Sequence, residues 1–215
     1  VRMLRHYQHL LGEITRDPDR PQSEIPLLPE EERRQVLCEW NATAAPYPAE
    51  PIHVQFERQV DATPDAPALL FPRPPGAEGH GEDEQLSYRE LDQRATRLAR
   101  HLRASGVEAR SLVGLCLERS VDMLVAQLGI LKAGAAYVPL DPAFPVDRLT
   151  YMVADSGLSV VVTQGELSQL FAGLEQPDSV RFVKLDQEAA AIAGEDAGRF
   201  DSGVGSTERM YVIYT

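Results

Sequence analysis

From Ile52 onward, short apolar runs of strand type alternate with longer segments of helical period. The run 158–163 is rich in β-branched residues, as in the buried strands of parallel sheets. Strands that alternate with helices pair into a mainly parallel sheet, with helices on its faces and right-handed connections. Residues 52–215 are therefore predicted to form an α/β layer sandwich with a mostly parallel sheet flanked by helices.

Two of the predicted helices carry their own start and stop signals. Ser87 and Glu90 form a capping box, in which a hydroxyl and a carboxylate satisfy free N–H groups at a helix start. The second helix follows Ser120 and is closed by Gly134, and it is apolar on nearly every side, which predicts burial. Further helices are predicted over 53–60, 147–155 and 167–174, and strands over 66–71, 111–117, 136–140, 158–163, 180–185 and 210–215, with a small-residue stretch over 189–206.

The first 51 residues have a different character. An apolar stripe at helical spacing predicts an amphipathic helix over 1–14, which ends before Pro18. Prolines are dense over 18–51, and this segment is interpreted as a linker. A short helix is predicted after Pro29, and the single tryptophan that follows it, Trp40, is interpreted as an anchor on a neighbouring domain.

Composition excludes several classes of partner and site. With 33 acidic and 21 basic residues the formal net charge is −12, so the chain as a whole would repel nucleic acid and anionic membranes. The longest apolar stretch, 124–140, is interrupted and too short for a membrane span of about 20 residues. Cys38 and Cys116 lie far apart, which favours a reducing, cytoplasmic location without disulfides or zinc.

Two apparent motifs fail on spacing or context. His6 and His9 lie three residues apart on a helix, but no further ligand is placed to complete a metal site, so none is predicted. The run 203–207 is Gly-rich, yet it lacks the lysine of a phosphate-binding loop and precedes a predicted strand rather than a helix. It is interpreted as a flexible loop.

Several longer strings carry a family resemblance. Residues 86–91, LSYREL, resemble the first core motif of amino-acid adenylation domains, and residues 131–142, LKAGAAYVPLDP, resemble the second nearly letter for letter. Residues 210–215, MYVIYT, resemble the strand that leads into the third core motif, a Ser/Thr/Gly/Lys-rich loop that surrounds the ATP phosphates in this family. Residues 52–57 and 63–68 are similar to the opening of the same AMP-binding (ANL superfamily) domain.

The N-terminal part resembles what precedes such a domain in nonribosomal peptide synthetases. The resemblance implies that residues 1–17 are the C-terminal helix of a condensation domain, that 18–51 are the inter-domain linker, and that 52–215 are an incomplete N-terminal part of the adenylation domain. One departure is the Pro/Gly/acidic insertion over 71–85, which is longer than the connection usual there and is expected to alter a surface hairpin rather than the site.

The resemblance also implies an activity for the parent protein. It would convert an amino acid and ATP, with Mg²⁺, into aminoacyl-AMP and pyrophosphate, and then load the acyl group onto the phosphopantetheine thiol of a carrier domain in the same polypeptide. In this family the phosphate loop and the lysine that positions the reacting carboxylate follow Thr215, so the 215 residues alone are predicted to be inactive. An acyl- or aryl-CoA ligase of the same superfamily, or a non-catalytic inter-domain platform, are the alternatives.

Candidate site residues follow from the motifs, and none of them is expected to be catalytic. Thr215 is the one residue that the resemblance assigns to the ATP phosphates, although a strand-end threonine is also explained by its β propensity. Lys132 is expected in the last helical turn, where a cation stabilises the helix dipole. The remaining motif positions are interpreted as structural: Ser87, Tyr88, Glu90, Leu91, Gly134, Tyr137, Pro139 and Asp141.

Overall fold

The structure is a computed structural model that describes residues 2–72, 84–173 and 179–215. It divides into two compact units, Val1–Pro48 and Ala49–Thr215. The predicted insertion over 71–85 falls largely on residues 73–83, outside the described part of the chain.

The first unit is built from two short helical segments. Helix α1 (Arg2–Arg16) is followed by a 3₁₀ turn (Gln22–Glu24), and α2 (Glu30–Arg34) continues into one π-helical turn (Gln35–Glu39). Glu32 of α2 accepts hydrogen bonds from Arg2 and His6 of α1, which ties the two helices together. Trp40 follows α2 and remains 58% exposed among the described residues.

The second unit begins with a helix and a β-hairpin. Helix α3 (Ile52–Ala62) precedes β1 (Pro67–Phe71), which pairs antiparallel with β2 (Glu84–Ser87). Strand β2 is absent from the sequence prediction, because its four residues directly precede a helix cap and its partner strand lies beyond the long insertion.

Within the described residues, the main sheet has four strands, all parallel. In chain order they are β3 (Leu112–Leu115), β4 (Ala136–Pro139), β5 (Val160–Thr163) and β6 (Arg181–Lys184). Their order across the sheet is β4-β3-β5-β6, and every pairing is parallel. The predicted α/β class with a mostly parallel sheet is therefore confirmed.

Helices cover both faces of this sheet. They are α4 (Tyr88–Ala104), α5 (Val121–Lys132), α6 (Val146–Asp155) and α7 (Ala189–Gly194). Side chains alternate across a strand, and in β5 Val160 and Val162 pack in one cluster with α4 and α5, whereas Val161 packs in a second cluster with α6. No helix among the described residues has the length and apolar character needed to cross a membrane.

The strand predicted over 210–215 is wrong. This segment makes one isolated parallel bridge, between Tyr137 and Tyr211, beside the edge strand β4. Two hydrogen bonds hold it: Tyr137 N donates to Met210 O at 3.2 Å, and Val212 N donates to Tyr137 O at 3.0 Å. The apolar pattern is that of a strand, but the next β4 residue on this edge after Tyr137 is Pro139, which has no backbone N–H to donate.

Two further segments differ from the sequence prediction. A helix is predicted over 167–174, and the described part forms a 3₁₀ helix, Leu167–Phe171. Helix α7 lies inside the stretch 189–206, which the sequence indicates only as a small-residue connection. Three consecutive alanines favour a helix, since alanine has the highest helix propensity.

Candidate functional site

A cleft of about 860 Å³ opens at the carboxyl ends of β3 and β4. One wall comes from the residues between β3 and α5, a second from the turn after β4, and a third from Tyr211 and Ile213. In open α/β sheets, ligands bind beyond the carboxyl ends of the strands. The volume of the cleft lies within the range of roughly 300–1,000 Å³ that is usual for small-molecule sites. We therefore take this cleft as the candidate functional site.

The turn after β4 forms the rim of the cleft. Leu140 N continues the ladder by donating to Leu115 O at 2.9 Å, and the chain then turns away at Asp141. Asp141 Oδ1 accepts a hydrogen bond from Ala143 N at 2.9 Å, which is the local bond that favours aspartate in turns. Pro139 and Asp141 both line the cleft, so the end of the LKAGAAYVPLDP string shapes its edge.

Residues 210–215, here called the terminal segment, lie beside β4 at the edge of the sheet. The rings of Tyr137 and Tyr211 lie 5.8 Å apart, and both line the cleft. The hydroxyl of Tyr214 donates to Asp155 Oδ2 at 2.6 Å, and this hydrogen bond raises the pKa of Tyr214, so the phenol keeps its proton. Thr215 is exposed and follows Ile213 by two positions, but it does not itself line the cleft.

Helix α5 begins at the opposite wall. Ser120 Oγ accepts a hydrogen bond from Met123 N at 3.3 Å, which is the N-cap bond that the sequence predicts. Arg119 and Met123 line the cleft, so the partly positive start of α5 borders it. Glu118 and Asp141 line it too, and the cleft therefore presents charges of both signs.

Lys132 lies away from the cleft, in a buried cluster of charges. Only 4% of its surface is exposed, and its ammonium group contacts Glu57 of α3 and lies 2.8 Å from Asp92 Oδ1 of α4. The helix-dipole role expected for Lys132 is therefore incomplete, because the side chain joins three helices. The sequence carries a signal for this cluster: a cation and a carboxylate interrupt the apolar faces of two helices that are both expected to be buried.

The first core motif caps α4. Glu90 N donates to Ser87 Oγ at 3.3 Å, and Ser87 N donates to Glu90 Oε2 at 2.8 Å, so both halves of the capping box are present. The hydrogen bond from Ser87 N lowers the pKa of Glu90. Tyr88 packs its ring 5.9 Å from that of Phe56, and Leu91 is buried in the core.

Gly134 closes α5 where a neighbouring segment passes very near. Its φ is +80°, a conformation that L residues with a side chain rarely adopt. A Cβ atom at this position would lie 2.3 Å from the carbonyl oxygen of Ser202. Gly134 therefore meets a conformational and a steric requirement together, and the steric one involves a residue far away in sequence.

Most of the second unit matches a known protein family. The family described as AMP-binding enzyme matches residues 56–215. The chain belongs to the AMP-binding enzyme family. Its match includes both core-motif strings and the whole of the cleft, and it ends with the terminal segment that stands beside β4.

Three proteins similar to this chain are peptide synthetases. Gramicidin S synthase 2 of Brevibacillus brevis is 40% identical over 215 residues, which are 100% of this chain and 4% of that protein. A crystal structure of the nonribosomal peptide synthetase FmoA3 in its AMPPNP-bound form has a TM-score of 0.74 and 30% identity, over 99% of this chain and 21% of that one. Holo-AB3403, a four-domain nonribosomal peptide synthetase bound to AMP and glycine, has a TM-score of 0.71 and 32% identity, over 91% of this chain and 13% of that one.

These comparisons confirm the resemblance to the AMP-binding family and to peptide synthetases that the core motifs indicate. The chain spans a small part of each relative's length. Sequence reasoning missed the walls contributed by Arg119, Tyr211 and Ile213 and the charge cluster around Lys132. The assignment of Thr215 to ATP phosphates remains a prediction.

Proposed function

We propose that this chain is part of an enzyme that activates an amino acid with ATP and transfers it to the thiol of a carrier domain. Residues 52–215 would be the N-terminal part of its adenylation domain. Residues 1–17 would be the last helix of a condensation domain, and 18–51 the linker between the two. A cytoplasmic location belongs to the same proposal, since Cys38 and Cys116 are both free thiols.

One observation carries this proposal: the second core motif and the strand-like segment that precedes the third meet at one cleft. The string 131–142 supplies the end of α5, β4 and the rim at Asp141, and the segment 210–215 bridges to β4 at Tyr137. The synthetase structures with AMPPNP, or with AMP and glycine, support the substrate classes. An acyl-CoA ligase is the less favoured alternative, because the relatives named above are peptide synthetases.

The proposed reaction has two steps. An oxygen of the amino-acid carboxylate bonds to the α-phosphorus of ATP while the bond to the bridging oxygen breaks, which releases pyrophosphate. The carrier thiol then loses its proton to solvent and bonds to the acyl carbon, and the carbon–oxygen bond to AMP breaks. The described residues would contribute chiefly by positioning, because the rim at Asp141 and the Tyr137–Tyr211 wall fix the approach to Thr215.

Mg²⁺ would neutralise charge on the ATP phosphates when it is bound. Within 2–72, 84–173 and 179–215, no three side chains of His, Cys, Asp or Glu come together in a group that could hold a metal ion. Mg²⁺ usually binds through phosphate oxygens, waters and one or two carboxylates rather than through a protein cage. We therefore assign no step to a metal held by these residues alone.

Amino-acid-dependent exchange of pyrophosphate into ATP tests the proposal. The assay uses the complete protein encoded by the reading frame that contains these residues, with each proteinogenic amino acid in turn. We expect exchange with one amino acid or a small group of them, and no exchange by the 215 residues alone. Exchange by the 215-residue chain would contradict the expectation that activity needs the phosphate loop and the lysine outside these residues. Transfer of the acyl group to free coenzyme A would favour the ligase alternative.

A substitution tests the role of Thr215. Thr215→Val keeps the branched shape and removes the hydroxyl, so the KM for ATP should rise by about tenfold or more if that hydroxyl binds a phosphate oxygen. Thr207→Val is the matched control, since Thr207 lies in an exposed turn. Equal KM values for ATP in the two variants would remove Thr215 from the site.

A further inference from the structure

Residues 195–209, here called the strap, connect α7 to Met210 without forming a helix or a strand. A segment of this kind has no ladder of its own to fix its path. Its conformation depends instead on side chains from neighbouring helices. The strap leads directly into Tyr211 and Ile213, which form one wall of the cleft.

Arg199 is the main attachment of the strap. Its Nε donates to Asp92 Oδ2 of α4 at 3.0 Å, and its Nη1 donates to both carboxylate oxygens of Asp61 of α3, at 2.9 and 3.1 Å. Its Nη2 donates to the carbonyl oxygen of Glu57 at 3.3 Å. All three guanidinium nitrogens are therefore used, and the planar fork of arginine fixes direction as well as distance.

Further contacts hold the strap on either side of Phe200. Arg103 Nη2 donates to Ser202 O at 2.7 Å, and the same side chain donates through Nε to Ala133 O at 2.6 Å. The guanidinium of Arg100 lies 4.8 Å from the centre of the Phe200 ring and donates to Gly198 O. Ser202 Oγ also lies 3.0 Å from Nε2 of buried His53.

The end of the strap meets the sheet. Arg110 Nε donates to Glu208 at 2.8 Å, and two positions later Met210 O accepts a hydrogen bond from Tyr137 N of β4. The backbone path is therefore fixed at both ends, by Arg199 and by the bridge at Tyr137. A shift of the strap at Arg199 would reach the segment that carries Thr215 through residues 200–209, which Arg103 and Arg110 also hold.

We propose that Arg199 is a positioning residue for ATP: by tying the strap to Asp61 and Asp92, it sets where residues 210–215 lie against β4. This inference rests on the proposed function, because the position of Thr215 matters only if phosphates bind there. It goes beyond that function by assigning a role to a residue outside the core motifs and outside the cleft.

The arrangement of charges separates this role from general stabilisation. Asp92 is held by two cations through different oxygens, Oδ1 by Lys132 at 2.8 Å and Oδ2 by Arg199 at 3.0 Å. Replacing Arg199 therefore leaves Asp92 paired with Lys132. The ion pairs of Lys132 that join α3, α4 and α5 also remain. The Arg199 side chain is 31% exposed, so its loss opens no large cavity.

Hydrogen exchange in the complete protein tests the positioning directly. The variants are Arg199→Gln, Arg199→Lys, and the control Arg89→Gln, whose arginine forms an exposed pair with Asp65. In Arg199→Gln the amides of Val212 and Tyr137 should exchange about tenfold faster or more, while the amide of Cys116 in the central sheet is unchanged, because only a local opening is made easier. Arg199→Lys, which keeps the charge but not the fork, should fall between wild type and Arg199→Gln.

Kinetics supply the second readout. Misplacement of reacting groups by about 1 Å can cost on the order of 100-fold in rate, so the kcat for pyrophosphate exchange should fall by about 10- to 100-fold in Arg199→Gln. The KM for the amino acid should stay at the value of the Arg89→Gln control. If Arg199→Gln does not fold, Asp61→Asn can replace it, because it removes only the charge of the exposed partner of Arg199. Its hydrogen exchange and kinetics are then compared with those of Arg89→Gln.

Three results would overturn the inference. The first is an unchanged rate of hydrogen exchange at the Val212 amide in Arg199→Gln. The second is an equal increase in that rate at Val212 and Cys116. The third is faster hydrogen exchange at Val212 together with a kcat for pyrophosphate exchange equal to that of the Arg89→Gln control. Wild-type protein without activity on any amino acid would instead overturn the proposed function. Exchange at Val212 would then still decide whether Arg199 holds the terminal segment in place.

Discussion

The ammonium group of Lys132 lies 2.8 Å from a carboxylate oxygen of Asp92, with only 4% and 9% of the two side chains exposed. Lys132 also contacts Glu57, so one cation serves two carboxylates from two different helices. A buried charge is costly unless it is paired, and removal of one partner leaves the others uncompensated. This cluster is therefore a point where the packing of α3, α4 and α5 is easily broken.

Lys132→Met should lower the free energy of unfolding by about 3–5 kcal/mol, because Glu57 loses its buried cation and Asp92 keeps only Arg199. Urea denaturation of wild type and variant measures the difference. Arg89→Met is the control, since its exposed pair with Asp65 should contribute at most about 1 kcal/mol. Equal losses in the two variants would mean that burial adds nothing to the Lys132 pairs.

Gly134→Ala and Gly157→Ala separate a conformational requirement from a steric one. Both glycines have positive φ, +80° and +63°, but a Cβ at Gly157 meets nothing within 4 Å. Gly157→Ala should therefore show only the backbone cost of about 1–2 kcal/mol. Gly134→Ala should lose roughly 1–3 kcal/mol more, because its Cβ collides with Ser202 O. Matching urea midpoints for the two variants would contradict the close approach of the strap.

His53 should make stability fall in mildly acidic solution. Burial lowers its pKa below the ordinary value of 6.5, so the unfolded chain takes up a proton at a pH where the folded chain does not. Stability therefore rises with pH between the folded and the unfolded pKa, and it declines as the pH falls below about 6.5. Urea midpoints from about pH 5 to pH 8 should show this slope in wild type and a weaker slope in His53→Gln. The same slope in both proteins would rule out His53 as its source.

The two cysteines should react at very different rates. Cys38 is exposed, whereas Cys116 is buried directly after β3 and burial raises the pKa of its thiol to about 11. The thiolate is the reactive form, so a thiol reagent near pH 8 should modify one cysteine in the folded chain and both in urea. Cys38→Ser should abolish the fast phase. Rapid modification of two thiols in the folded protein would show that the strand around Cys116 opens readily.

Local signals in the sequence are sufficient to predict most of the fold. The caps at Ser87 and Ser120 act within a few residues of themselves, and both form the hydrogen bonds that their spacing predicts. The rhythm of strands and helices likewise predicts the parallel sheet. These features depend on neighbours in the chain, and a single sequence displays such neighbours directly.

The features that sequence reasoning missed depend on distant partners. Strand β2 pairs with β1 across the insertion, and Lys132 meets Glu57 at a separation of 75 residues. The segment 210–215 has the pattern of a strand, but Pro139 of β4 has no backbone N–H to extend the bridge at Tyr137. Arg199 belongs to a segment with no periodicity, so nothing near it in the sequence marks its partners Asp61 and Asp92.

The bridge between Tyr137 and Tyr211 also sets an order of assembly. Strand β3, helix α5 and strand β4 are adjacent in sequence and can associate as soon as they have been synthesised. Tyr211 joins β4 only after α6, β5, β6 and the strap have emerged, because the loop that it closes contains all of them. The wall of the cleft formed by Tyr211 and Ile213 therefore depends on the longest loop closure at β4. A chain that lacked residues 211–213 would keep β4 as an edge strand without this bridge and would lack one wall of the cleft.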